Sequence, residues 1–304
     1  MDKSRVHRFT VSVPCKTPFA DEVKEYDDWC FIILPDNHSK DGEPVRLVIN
    51  CHGAGGTVTT DDSQVENQAM TQYLVANGYA VMGVGGLPKE FADLHGIDIR
   101  NNMGCPIATE SNVRAYHYCM EKFNLKKEVL VLGSSMGGLS STNLVLSKRI
   151  PVLAHACFCP VLDTYNQPFL HPWSGGLPRT ALGLFYSFDK DDAGNFIYDE
   201  EKVMGCNPAQ NPQRLHYPCP ALFCQCENDH IVNPAVTKKF VAEVKESGNQ
   251  IELFMLPDGG HEPQLWGDGI QNTSGNTSFD GETLVIKPGP EKVFRWLRYQ
   301  DFTL

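Results

Sequence analysis

Gly133-Ser134-Ser135-Met136-Gly137 reads G-x-S-x-G. The apolar, β-branched run Glu128-Val129-Leu130-Val131-Leu132 precedes it, and Leu139 to Ser147, which can run as a helix, follows. Strand, tight turn and helix form the context in which this motif holds a serine hydroxyl out at the carboxyl end of a sheet. A serine hydroxyl is a poor nucleophile at neutral pH. It needs a base within hydrogen-bond reach, a group that orients the base, and backbone donors for the oxyanion of the transition state.

The chain offers a residue for each role. His261 closes Pro257-Asp258-Gly259-Gly260-His261, a loop just past the apolar run 251–256, and two glycines let that loop bend inward. Asp229 lies just beyond the run 220–226 and is the orienting acid. Glu227 sits too close to the strand end, and Asp258 is too near His261 in sequence to reach the same imidazole nitrogen. Cys51-His52-Gly53-Ala54-Gly55-Gly56 follows the run 45–51 and is the oxyanion-loop candidate, with the Met136 N–H as the other donor. No Gly-Lys-Ser/Thr follows these glycines and G-x-G-x-x-G is absent, so they do not read as a phosphate cradle.

These residues need a scaffold. Strands are expected near 6–13, 28–34, 45–51, 79–84, 128–133, 152–159, 220–226 and 250–256. Helices are expected near 64–77, 107–123, 136–148, 234–247 and 290–299, the first capped by Asp61, Asp62 or Ser63 and stopped at Asn77-Gly78. The first two strands have no helix between them and should pair antiparallel. From residue 45 strands and helices alternate, which gives an α/β chain with a doubly wound, mostly parallel eight-stranded sheet in a single domain over 1–304. Residues 160–219 are too long for a plain loop and read as a lid inserted over the carboxyl edge of the sheet. Residues 262–289 are rich in Gly, Asn, Ser and Thr, and 282–286 reads as half of a hairpin.

The chain has 304 residues, 41% of them hydrophobic, enough for a substantial core, and a net charge of -11. No basic stripe suggests nucleic acid, and no apolar run is long enough to span a bilayer. The charged segment Met1–Arg8 has no apolar signal region, so a cytoplasmic protein is expected. The eleven cysteines read as buried free thiols. Cys157/Cys159 and Cys224/Cys226 have C-x-C spacing, and strand alternation places each pair on one face. That spacing within strands is a weak metal signal, so no metal and no cofactor is expected.

Together these pieces resemble the α/β-hydrolase superfamily over about 45–261 and the closing helix. The order Ser135, Asp229, His261 is that family's order, and His52-Gly53-Ala54-Gly55-Gly56 matches its H-G-x-G-G loop. The resemblance implies Ser135 as nucleophile, His261 as general base and acid, Asp229 as orienting acid, and Ala54 and Met136 as oxyanion N–H donors. The chain looks most like the esterase and acyl-hydrolase branches, including acetyl- and feruloyl-type carbohydrate esterases. The expected substrate is therefore a small-molecule or saccharide ester, with Trp173 and Trp266 as aromatic contacts. An amidase or peptidase with the same triad, and a non-catalytic binding module on the same scaffold, are the alternatives. A dehalogenase or epoxide hydrolase needs a carboxylate at the elbow and a dienelactone-type enzyme a thiol, so Ser135 disfavours them.

Overall fold

The computed structural model describes residues 5–16, 23–59, 65–66, 68–164, 189–190, 192–193, 196–197, 205–258, 260–261, 270–271, 276–277 and 288–302. Eight strands make the main sheet: β1 (Val6–Cys15), β2 (Lys24–Ile33), β3 (Leu47–Cys51), β4 (Ala80–Val84), β5 (Val129–Ser134), β6 (Val152–Phe158), β7 (Ala221–Cys226) and β8 (Ile251–Leu256). Their order across the sheet is β1-β2-β4-β3-β5-β6-β7-β8. β2 pairs antiparallel with both β1 and β4. Every other neighbouring pair is parallel.

Parallel strands need crossovers, and the helices α1 (Ala69–Ala76), α2 (Lys89–His95), α3 (Pro106–Lys122), α4 (Met136–Ser147), α5 (Pro234–Glu246) and α6 (Pro288–Phe302) lie between and after them. β3, β4 and β5 are buried at every residue. Strands covered on both faces read as unbroken apolar runs, which is why the sequence marks them so clearly. Leu47, Ile49, Val131 and Phe223 face one layer with Tyr116, Leu144 and Phe240 of α3, α4 and α5. Val48, Leu130, Leu132 and Leu222 face the other with Leu74, Phe294 and Leu297 of α1 and α6. In α5 the buried residues Thr237, Phe240, Val241 and Val244 follow the i, i+3, i+4, i+7 stripe of a one-sided helix. Asn233 caps it by accepting from the Ala235 N–H at 3.0 Å. Arg46 fastens the closing helix, donating to Asp301 at 2.7 Å and to the Glu128 carbonyl at 2.6 Å.

The structure differs from the sequence expectation in a few elements. α2 was not expected, yet its ends are legible: Pro88 stands at its start and Gly96, at φ 64°, closes it in the left-handed region. α1 begins at Ala69 rather than near 64, with Gln68 at its N-cap position. The capping residues 61–63 and the hairpin at 282–286 lie outside the described residues. So does most of the 160–219 insertion. Its two described ends are tied together where the Ala209 N–H donates to Leu162 O and the Thr164 N–H to Asn207 Oδ1, each at 2.8 Å.

The tightest contact between layers is glycine against backbone. A Cβ on Gly137 would lie 1.9 Å from the Cys51 carbonyl oxygen, so α4 approaches β3 more closely than any side chain permits. Gly137→Ala should cost about 3 kcal/mol or more, as a clash that only backbone movement relieves. Gly96→Ala, left-handed but with open space around it, should cost only about 1–2 kcal/mol. Urea unfolding of both variants checks the contrast; equal losses would mean that the contact between α4 and β3 is not tight.

Candidate active site

β5 runs into α4 through one residue, Ser135, at φ 55° and ψ −120°. A non-glycine residue at positive φ is uncommon and costs of order 1–3 kcal/mol, so its surroundings must hold it. The Ser135 N–H donates to Phe158 O at 2.9 Å, and its carbonyl accepts from Gly138 N at 2.9 Å and Val161 N at 3.0 Å. The glycines around it let the elements close on the turn. A Cβ on Gly133 would sit 2.3 Å from Gly137 O, and one on Gly138 would sit 2.3 Å from the Pro160 side chain.

His261 Nε2 lies 2.9 Å from Ser135 Oγ. His261 Nδ1 lies 2.9 Å from Asp229 Oδ2 and 3.1 Å from Oδ1. An ionised carboxylate can only accept, so Nδ1 carries the proton and Nε2 offers its lone pair to the serine hydroxyl. All three residues are buried, with only 7–8% of their surface exposed. Burial acts to raise the Asp229 carboxyl. The hydrogen bond and charge of His261, together with the Val232 and Ile231 N–H groups, outweigh it and hold Asp229 below the usual carboxylate range. Those N–H groups each donate to Oδ1 at 2.9 Å. Gln225 donates to Oδ2 at 2.8 Å and is itself held by Thr237 at 3.0 Å. The histidine loop is tied down where Gly260 N donates to Asn228 Oδ1 at 2.9 Å.

The loop after β3 is braced rather than free. His52 lies between carbonyls, with Nδ1 2.9 Å from Gly53 O and Nε2 3.1 Å from Gly85 O. Gly55 N donates to Arg100 O at 3.2 Å. Ala54 is exposed, at the tip of this loop. Met136 begins α4, where the first N–H groups have no acceptor within the helix and are open to an anion. Asp28 on β2 holds the turn after β4, whose Gly85 carbonyl faces His52. Its Oδ2 accepts from Gly86 N at 2.7 Å, and a Cβ on Gly85 would meet Oδ1 at 2.7 Å. Burial pushes the Asp28 carboxyl up to about 6, even with the Gly86 N–H bond opposing the shift. Neither Asp28 nor Gln225 stands out in the sequence. Asp28-Trp29-Cys30-Phe31 does place an acid at the mouth of an apolar run, which is the one local sign of it.

The competing acids lie elsewhere. Glu227 pairs with Lys238 at 2.6 Å on the surface, and Asp258 is exposed. Trp173 and Trp266 lie outside the described residues. All eleven cysteines are free. The expectation that each C-x-C pair shares a face fails for the first pair. Cys157 packs in one layer and Cys159 in the other, because Cys159 follows the end of β6 with φ 41° and swings across.

An elbow serine, a histidine from the loop after β8 and an aspartate from the loop after β7, on an eight-stranded mostly parallel sheet, define an α/β-hydrolase-fold chain with a serine, histidine and aspartate in line. The model of the prolyl oligopeptidase family matches residues 110–274, more than half of the chain and all three of these residues, and the chain belongs to that family. No curated protein sequence matches it. A puromycin-hydrolyzing peptidase of Mycobacterium tuberculosis is similar in structure, with TM-score 0.60 and 15% identity over 83% of this chain and 36% of that one. The Pyrococcus horikoshii acylaminoacyl peptidase gives TM-score 0.63 and 13% identity, over 98% and 41%. Carboxyl esterase 2 of Tuber melanosporum gives TM-score 0.56 and 15% identity, over 86% and 80%. At such identities the likeness is one of fold. The chain spans well under half the length of both peptidases. Among the described residues no helix is long and apolar enough to cross a membrane.

Two outcomes are expected of this geometry. Asp229→Asn should impair turnover far more than Glu227→Gln or Asp258→Asn; kinetics of the three variants compared directly check it, and a dominant effect at Asp258 would displace Asp229. Asp28 should also set a pH dependence of stability. Its carboxyl titrates at about 6 when folded and about 3.9 when unfolded, so between those values the folded chain holds a proton that the unfolded chain has lost. Stability should therefore fall as pH rises. The unfolding free energy of wild type minus that of Asp28→Asn should drop by roughly 2 kcal/mol from about pH 4 to about pH 7. A constant difference across that window would show that burial does not raise the Asp28 carboxyl above its unfolded value.

Proposed function

We propose that this chain is a serine hydrolase that cleaves an amide or peptide bond through an acyl-enzyme on Ser135. The observation that carries the reading is the continuous hydrogen-bonded line from Ser135 Oγ through His261 to Asp229 at a strained elbow. Ser135 Oγ attacks the carbonyl carbon as His261 Nε2 takes its proton. Asp229 keeps the imidazole in the tautomer that allows this and stabilises the imidazolium that forms. The N–H groups of Met136 and Ala54 receive the oxyanion. His261 then gives its proton to the leaving nitrogen, which an amine requires before it departs. Water repeats the sequence on the acyl-enzyme and frees the acid.

Membership of the prolyl oligopeptidase family and the likeness to the two peptidases favour the amidase alternative over the ester first expected. A second reading, carboxylic ester hydrolysis, is favoured by the esterase neighbour, of whose chain 80% is covered. The family match gives no support to a saccharide substrate. The segment 160–219, inserted between β6 and β7, is proposed to shape the acyl pocket as a lid, with Trp173 and Trp266 as substrate contacts.

A fluorophosphonate probe should label wild type at Ser135 and leave Ser135→Ala unlabelled. On aminoacyl p-nitroanilides Ser135→Ala should lower kcat by about 10⁴–10⁶. A variant that keeps a tenth of the activity would remove Ser135 from the mechanism. Labelled enzyme that turns over p-nitrophenyl esters but none of the matched anilides would replace the peptidase reading with the esterase one.

A further inference from the structure

The C-x-C cysteines stand at the carboxyl ends of the adjacent parallel strands β6 and β7, yet they do not form a four-sulfur cluster. The φ of 41° at Cys159 carries that thiol away from Cys157 and onto the face of Cys224 and Cys226. There it meets the acid end of the candidate active site. Cys159, Asp229 and His261, all buried, each offer one ligand atom, and these atoms lie within 4.8 Å of one another. The Cys159 thiol also hydrogen-bonds the Cys226 thiol. Two sulfurs, an imidazole and a carboxylate make a donor set that zinc takes in tetrahedral sites. At ordinary zinc–sulfur and zinc–nitrogen lengths the ligands stand roughly 3.5 Å apart, so they need to close by about an ångström.

We infer that Cys159, Cys226, Asp229 and His261 form an inhibitory site for a soft divalent cation, zinc foremost. The metal takes the place of the proton between His261 Nδ1 and Asp229. Each thiol releases its proton to solvent and binds as thiolate. His261 stays neutral, but its proton moves from Nδ1 to Nε2. Nε2 then has no lone pair facing Ser135 Oγ, and the serine has no base. The inhibitory consequence rests on the hydrolase reading; binding of the metal does not.

The test is a cobalt(II) titration of the full chain, with thiols kept reduced by a phosphine that does not bind the metal. Cobalt bound by thiolate gives a near-ultraviolet charge-transfer band and strong tetrahedral bands in the visible. Wild type and Ser135→Ala should both give these bands, saturating at one equivalent, and zinc should displace the cobalt. Cys159→Ala and, as a second variant, Cys226→Ala should bind cobalt at least about tenfold more weakly. Zinc should stop wild-type turnover, a chelator should restore it, and both variants should need at least about tenfold more zinc. No thiolate band in wild type, or unchanged binding and zinc sensitivity in both cysteine variants, overturns the site. Cobalt bands in a protein that hydrolyses no acyl substrate would leave the metal site standing and remove the hydrolase reading alone.

Discussion

The backbone at Ser135 is held at φ 55° and ψ −120°, and the arrangement around it follows from that constraint. An L-residue does not stay there unless its neighbours leave it no alternative. Here β6 takes its N–H, Gly138 and Val161 take its carbonyl, and α4 presses against β3 through Gly137. The strain is met by contacts from β6, from the segment just past it and from α4 held against β3, so the serine cannot relax without parting the layers. The same contacts aim its hydroxyl at a histidine 126 residues away.

A second demand is a base of fixed tautomer. Asp229 meets it by being saturated: two backbone N–H groups and Gln225 use the positions that His261 does not. A carboxylate buried without such donors would take up a proton and lose its grip on the imidazole. Asp28 is the contrasting case in the same molecule. It is also buried and hydrogen-bonded, but burial wins and pushes its carboxyl up to about 6. The difference lies in the neighbours, since Asp229 faces an imidazole that can share positive charge and Asp28 faces none.

The region behind the aspartate is chemically rich for another reason. Parallel strands deliver their carboxyl ends to one edge, so side chains that turn inward just past β5, β6, β7 and β8 meet there. Ser135, Cys159, Asp229 and His261 come from four such ends. An edge that assembles a serine–histidine–aspartate line therefore also assembles whatever side chains share it, thiols included.

The sequence by itself determined the elbow, the eight strands and the order of the three candidate residues. Each rests on local pattern: glycines flanking Ser135, apolar runs of strand length, and polar residues just beyond them. Local pattern also held the ends of α2, in Pro88 and Gly96. Tertiary structure alone decided the rest. It put β4 between β2 and β3, which brings Asp28 to Gly86 across 58 residues. It chose Gln225 and Thr237 to hold Asp229, and it turned Cys159 to the face of Cys226. Periodicity states which face a residue takes while its strand is regular. It does not state which strand lies alongside, nor what a single positive φ beyond the strand end does to that face, because both depend on contacts between segments far apart in the chain.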